Sequence, residues 1–395
     1  MKNSPAIAAT DYGHLKSLVQ TEIANYGPGC DLNHIDVSNI TNMEGLFQDS
    51  DFNGSIANWD VSRVTSMQAM FSQSAFDGDL SKWDVSSVVS MAGMFDSSPF
   101  SGDIANWNTK SLRDASWMFV DTKHFQGDLS RWDMSNATNI ARMFGNSLFC
   151  GDVSGWNTSS VTNMDMVFFK CPFNGDISRW DTSNVTSMKG MFKESQFNGD
   201  ISQWNTGRVR CMTRMFEYSK HFAGDLSSWD TGNLEEAEGM FARSAFTGNV
   251  SRWNVERLRY ASSMFEDSPF NGDLSAWRPV ALLEAHGMFA QSSFRGDISE
   301  WPLPPECDIK YMLSPEMLAT MKMPCLYHWR VLLEGAMAPE LPTPWQACFD
   351  EAVPFVRALD LEPAAAWRVI QQRWADRQTP NSTPYLELPQ LDAGS

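Results

Sequence analysis

Tryptophan recurs along this chain with a nearly fixed step. Trp59, Trp83, Trp107, Trp132, Trp156, Trp180, Trp204, Trp229, Trp253, Trp277 and Trp301 lie 24 residues apart, except for two steps of 25. A period in this range makes each repeat one supersecondary unit whose apolar side is buried by its neighbours and not by a separate domain core. Ile35 stands 24 residues before Trp59, inside "DLNHIDVSNITNMEGLF", and "YMLS" replaces the usual "GMFxxS" at the far end. Twelve coils therefore fit between Asp31 and Leu313.

Each coil follows (I/L)-S-x-W-(D/N)-(V/T)-S-x-V-x-x-M-x-x-M-F-x-x-S-x-F-x-G-D. In the coil "FNGDISRWDTSNVTSMKGMF", Ile177, Trp180 and Thr182 have the offsets of a short strand. Period-two alternation places Trp180 and Thr182 inward and Arg179, Asp181 and Ser183 outward. Val185, Met188, Met191 and Phe192 are spaced 3, 3 and 1, which predicts a turn of helix or 3-10 helix on the opposite side. Phe197 is expected to tuck beneath the next turn, with Gly199 reversing the chain at positive φ.

The repeated "FNGDISRWDTSNVTSMKGMF" resembles the repeat of BspA-like leucine-rich-repeat proteins, the type also found in mycoplasma surface lipoproteins. The likeness extends over residues 31–313. It implies a curved repeat solenoid with a leucine-rich-repeat-like parallel β-sheet, short helical or 3-10 turns on the other side, and helical caps at both ends. It also implies a non-catalytic protein-binding scaffold that recognises a host or neighbouring-cell macromolecule, at the cell surface or secreted.

The outward columns carry the candidate chemistry. The residue after each Trp reads Asp84, Asn108, Asp133, Asn157, Asp181, Asn205, Asp230, Asn254, with Asp60 ahead of it. Carboxylates stacked at a strand spacing of about 4.8 Å repel, and an intervening Asn relieves that and offers a donor. Two roles follow: a hydrogen-bonded structural ladder, or a row that reads a ligand. The residue before Trp is the most variable column, and Lys82, Arg131, Arg179 and Arg252 in it are basic in a chain of net charge −18. Two readings follow again: these cations neutralise the Asp/Asn row beside them, or, with Gln203 and that row, they form a contact strip for an extended protein partner.

The Gly-Asp column is expected to make Asx turns, because Ser55 and Asn249 substitute for Asp there and keep an acceptor. A calcium row is the rival reading, and one carboxylate per coil is too few ligands for it. The column Ser147, Cys171, Ser195 and its equivalents suits a tight interior turn, which makes Cys171 a packing thiol. No cofactor and no metal site are expected. Lys123-His124 and Lys220-His221 mark the coils with an extra residue, too far apart to share a metal.

Composition sets the outer limits. The strong negative charge argues against nucleic acid or anionic membrane as the partner. The seven Cys show no disulfide framework, and no apolar run is long enough to span a bilayer. The first residues make no convincing signal peptide and no lipobox Cys, so the chain is expected to be cytoplasmic or exported without a cleaved signal. Residues 1–30 read as an N-terminal cap with an amphipathic helix over 11–25, and 314–378 as a helical cap or interaction module before a flexible tail, 379–395. Helices are expected near 315–322, 325–337, 344–360 and 363–377, and 13 of the 19 Pro lie beyond Trp301. An alternative function is a secreted effector or toxin whose repeat array targets that C-terminal segment; Cys325, His328 and Asp350 would be its only reactive set, with no recognisable nucleophile motif.

Overall fold

The computed structural model describes residues 7–313, apart from 299, 305 and 306. The expectations for residues 314–395, including Cys325, His328 and Asp350, lie outside the described residues.

Successive coils pair in parallel through one bridge per coil. The chain of partners runs from Asn42 to Ser66, Ser90, Asp114, Asn139, Asn163, Ser187, Cys211, Glu236, Tyr260, Glu284 and Asp308, which makes twelve coils. The pairing does not fall on the Trp segment. There, Trp180 N–H bonds to Ile177 O at 3.1 Å, closing a turn, and the Asp181 carboxylate accepts from Ser183 N–H at 2.9 Å. Local hydrogen bonds of this kind compete with strand pairing. The ladder lies instead in the segment that the 3, 3, 1 spacing assigns to helix.

Why residues 188–195 behave this way follows from their donors. Met188, Gly190, Phe192 and Glu194 donate to Cys211, Thr213, Met215 and Glu217 of the next coil, at 2.8–3.0 Å. The intervening Met191, Lys193 and Ser195 donate three residues back, to Met188, Gly190 and Phe192, at 3.1–3.2 Å. One segment thus builds the ladder and a run of tight turns together, and its buried amides are satisfied. The geometry needs left-handed residues twice per coil: Gly190 and Glu194 here, Trp117 and Asp121, Met166 and Lys170, Arg214 and Tyr218 elsewhere. Glycine in "GMF" serves the first of these positions.

Gly199 is not among the residues at positive φ. It is required for close approach, since a Cβ there would sit 2.8 Å from the Phe197 ring. Its equivalent Gly54 is tighter still, with a Cβ only 1.9 Å from Cys30 O.

The interior is one column per side chain. Trp180, Val185, Met188, Met191, Phe192 and Phe197 are each at most 3% exposed, and their equivalents form one continuous cluster along the stack. Phe192 stacks on Phe197 at 4.2 Å and on Phe216 of the next coil at 5.6 Å. Trp156 and Trp180 stack at 6.0 Å with their rings 4° from parallel. Every indole of the series also clasps the preceding coil. Trp180 Nε1–H donates to Val153 O at 3.0 Å, Trp204 to Ile177 O at 3.1 Å, and all eleven do the same at 2.9–3.2 Å. Each clasp satisfies an indole donor that burial would otherwise leave costly, on a carbonyl that also accepts a backbone N–H of its own coil, as Val153 O does from Trp156 at 3.2 Å. Thr182 reaches the other way, donating to Asn205 O at 2.9 Å.

At the N-terminal end the first coil carries Ile35 in the Trp column. Strand β1 (Ile7–Ala8) pairs in parallel with β2 (Ile35–Asp36), Ile7 opposite Ile35. Helix α1 (Tyr12–Tyr26) starts at Asp11, whose carboxylate accepts from His14 N–H, and ends at Gly27 with φ 83°. Leu15 and Val19 of α1 are buried in the same cluster as the coils, and Tyr12 OH donates to Glu44 O at 2.6 Å.

Candidate binding faces

The stack presents a turn face, built from the Trp segment and the Gly-Asp column, and a ladder face, built from residues 186–194 and their equivalents. The contact strip read from the sequence lies on the turn face. Asp84, Asn108, Asp133, Asn157, Asp181, Asn205, Asp230 and Asn254 are all exposed there. They sit in turns and not on a strand.

Each of these side chains closes its own Asx turn. The N–H two residues on donates to Asp84, Asn108, Asp133, Asn157, Asp181, Asn205, Asp230 and Asn254 at 2.9–3.3 Å. Among the described residues no hydrogen bond joins one member of the column to the next, so the cross-coil Asn-to-Asp ladder does not form. The short side chain is used up locally, within the turn it shapes. The Ser86, Ser135 and Ser183 hydroxyls and N–H groups hold Asp84, Asp133 and Asp181 below the usual Asp value.

The Gly-Asp column makes the Asx turns expected of it: Asp79, Asp128, Asp152, Asp176, Asp200 and Asp225 accept from the N–H two residues later at 2.8–2.9 Å. Asn249 does the same with Ser251 at 2.9 Å. Among the described residues no three His, Cys, Asp or Glu side chains converge as metal ligands.

Lys82, Arg131, Arg179, Gln203 and Arg252 are exposed in the same turns. Among the described residues none of these four cations joins an ion pair. Their influence is on the Gly-Asp carboxylates: Asp79, Asp128 and Asp176 are depressed chiefly by the Ser two residues on, with Lys82, Arg131 and Arg179 adding to the effect. Gln203 Nε2 donates to Ser202 Oγ at 3.2 Å. The row therefore alternates cations with an acidic background.

Cys171 is buried, donates to Phe149 O at 3.4 Å, and is pushed up to about 11 by burial, as a packing thiol should be.

The ladder face holds residues that the sequence reading did not single out. Trp117 is 42% exposed and lies under the Arg142 guanidinium at 4.3 Å. Tyr218 is 39% exposed, with Arg243 over its ring at 5.3 Å and bonded to its hydroxyl at 3.0 Å. Lys170 over Phe169, Arg259 over Tyr260 and Lys310 over Tyr311 repeat the pairing at 5.2–5.4 Å. All these aromatic-cation pairs are on this face. Reading each column down the stack would have exposed the signal, because Trp117 and Arg142, and Tyr218 and Arg243, are both 25 residues apart.

Twelve coils sharing one core and one clasp pattern define a tandem-repeat protein. The chain belongs to the family described as "Mycoplasma protein of unknown function, DUF285", whose model matches residues 22–99, 72–152, 145–245 and 238–320. Comparison with curated proteins and with solved structures gives no match. No helix among the described residues is long and apolar enough to cross a membrane.

Proposed function

We propose that this chain is a non-catalytic, protein-binding repeat scaffold. In this reading it is a solenoid of the BspA-like leucine-rich-repeat kind, with its parallel ladder carried by residues 186–194 and their equivalents. The carrying observation is a division of labour within every coil. The inward columns keep nearly the same residue from coil to coil. By contrast, the position two after the bridge, buried at Ser116, Ala141 and Thr213, is open in the other coils and runs there through Glu44, Gln68, Ala92, Asp165, Lys189, Glu238 and His286. Those side chains are not needed for packing, so their variety is available for recognition.

The parallel bridges at one-coil steps support the solenoid, as does the uninterrupted core. The partner is a polypeptide, because exposed Trp, Tyr and Arg are the side chains that concentrate binding energy at protein interfaces. A photo-crosslinking residue placed at Arg179 on the turn face or Lys189 on the ladder face tests this. The expected result is a polypeptide adduct in cell extract that excess unlabelled full chain competes away. Adducts that resist competition from both faces would refute the reading.

A further inference from the structure

We infer that the ladder face binds an extended acidic polypeptide segment at two anchors, Trp117 with Arg142 and Tyr218 with Arg243. The inference rests on the protein-binding reading above and names its face and partner.

The first observation is charge. The ladder segments 138–146, 162–170, 186–194 and 210–218 carry six cations, Arg142, Lys170, Lys189, Lys193, Arg210 and Arg214, against three carboxylates. That surplus of three positive charges stands in a chain of net charge −18. All three carboxylates are already engaged. Glu194 meets Lys170 at 3.4 Å and Glu217 meets Lys193 at 2.5 Å, while Asp165 accepts from Ser187 Oγ at 2.5 Å and from Lys189 N–H at 2.9 Å. Arg214 is exposed but lies 3.8 Å from Glu217, while Lys189 is exposed and, like Arg142, joins no ion pair among the described residues. The adjoining segments 113–121 and 235–243, which hold Trp117 and Arg243, are net acidic, so the basic patch has edges, and there Glu235 pairs with Arg210 at 2.6 Å and Glu266 with Arg243 at 2.5 Å.

The second observation is the placing of the two anchors. Trp117 belongs to the fourth coil and Tyr218 to the eighth, the two coils that take a 25-residue step. Each has one extra residue, giving a Lys-His pair, and each Lys reaches the next coil: Lys123 Nζ donates to Asn146 O and Lys220 Nζ to Arg243 O. An extra residue thus accompanies an aromatic-arginine pairing in both coils, in the column three after the bridge for Trp117 and seven after it for Tyr218. Four coil spacings set the anchors about 19 Å apart along the stack, and they stand in different columns, three and seven residues after their bridges, so an extended polypeptide needs more than about six residues at ~3.3 Å each to span them. The ladder's own N–H groups are spent between coils, so recognition is by side chains: cations for carboxylates, and Trp117 and Tyr218 for apolar contact. Nucleic acid also carries negative charge, but the net charge of this chain opposes a densely charged polymer.

Fluorescence anisotropy of the full chain with a labelled copolymer of glutamate and tyrosine tests the inference, with poly-lysine as the contrast. The copolymer is expected to bind, salt-sensitively, and poly-lysine to be taken up, if at all, only by the turn face. Trp117→Ala and Tyr218→Ala should each weaken copolymer binding at least tenfold, and the pair more than either, because two linked contacts act together. Lys189→Glu, an exposed change that packing tolerates, should weaken it as well and serves if an aromatic variant fails to fold. Reversing Lys82, Arg131, Arg179 and Arg252 to Glu should leave it unchanged. Absence of copolymer binding overturns the ladder-face assignment, and so does loss in the turn-face variant alone. A competed crosslink at position 179 without one at 189 also overturns it, yet leaves the protein-binding reading standing. Only failure of crosslinking at both positions removes that reading too.

Discussion

Replacing Trp180 by Phe isolates the clasp between coils. The ring stays apolar and stacked, but the Nε1–H that bonds to Val153 O at 3.0 Å disappears. Trp180 is 3% exposed, so that carbonyl loses this partner where water has little access. Val153 O keeps its other donor, the Trp156 N–H at 3.2 Å, so the change removes one hydrogen bond, worth about 0.5–1.5 kcal/mol. The smaller ring leaves a cavity worth on the order of 1 kcal/mol more, at ~24 cal/mol per Å³. The expected loss is about 1.5–2.5 kcal/mol, read as a lower urea midpoint in far-UV circular dichroism. Trp117→Phe is the matched control, because Trp117 is 42% exposed and outside the clasp series; it should change stability by less than about 1 kcal/mol. A Trp180→Phe protein within about 0.5 kcal/mol of the unsubstituted chain would refute the reasoning, since the clasp would then carry no weight.

Acid sensitivity follows from the Asx turns. The carboxylates of Asp79, Asp84, Asp133, Asp152, Asp181 and Asp200 are depressed from the ordinary Asp value of 3.8 by the Ser two residues later. A carboxylate with a lowered folded-state value adds stability that is fully present above 3.8 and is lost as pH falls through the lower, folded value. Thermal midpoints should therefore drop below about pH 4, and Asp→Asn changes at several of these positions should flatten that drop; identical acid profiles would argue against the mechanism. Gly199→Ala should cost on the order of 1–3 kcal/mol, read as a lower urea midpoint, because its Cβ would stand 2.8 Å from the Phe197 ring. Pairing it with Phe197→Leu should recover part of the loss in the same melt. In the native chain iodoacetamide at mildly alkaline pH should label exposed Cys150 and spare buried Cys171, whose thiol is pushed up to about 11; mass spectrometry showing Cys171 modified first would contradict that.

Much of the interior was legible in the sequence because it is written once per coil. Trp180, Val185, Met188, Met191, Phe192 and Phe197 are the recurring apolar set that stacking has to cover, and all are buried. The segment that pairs between coils was not legible. Spacings of 3, 3 and 1 fit a helical turn equally well, and nothing in Met166 or Lys170 announces a left-handed backbone. The clasp was hidden for another reason: its acceptor is a main-chain carbonyl, which no side-chain pattern can display. The Asp/Asn alternation was visible, but its role depended on whether those side chains bond forward along the chain or across coils, and distances decided that. The aromatic-arginine anchors lie 25 residues apart and become visible only when columns are read vertically.

The central claim is that each tryptophan of the series is locked inside one uninterrupted stack by its own indole N–H. Nitrogen-15 labelling of the indoles, with resonances assigned through single Trp→Phe variants, lets NMR follow Nε1–H exchange into heavy water. The indoles from Trp59 to Trp301 in the series are expected to exchange slowly, while Trp117 exchanges at once. Series indoles that exchange as fast as Trp117 would contradict the claim.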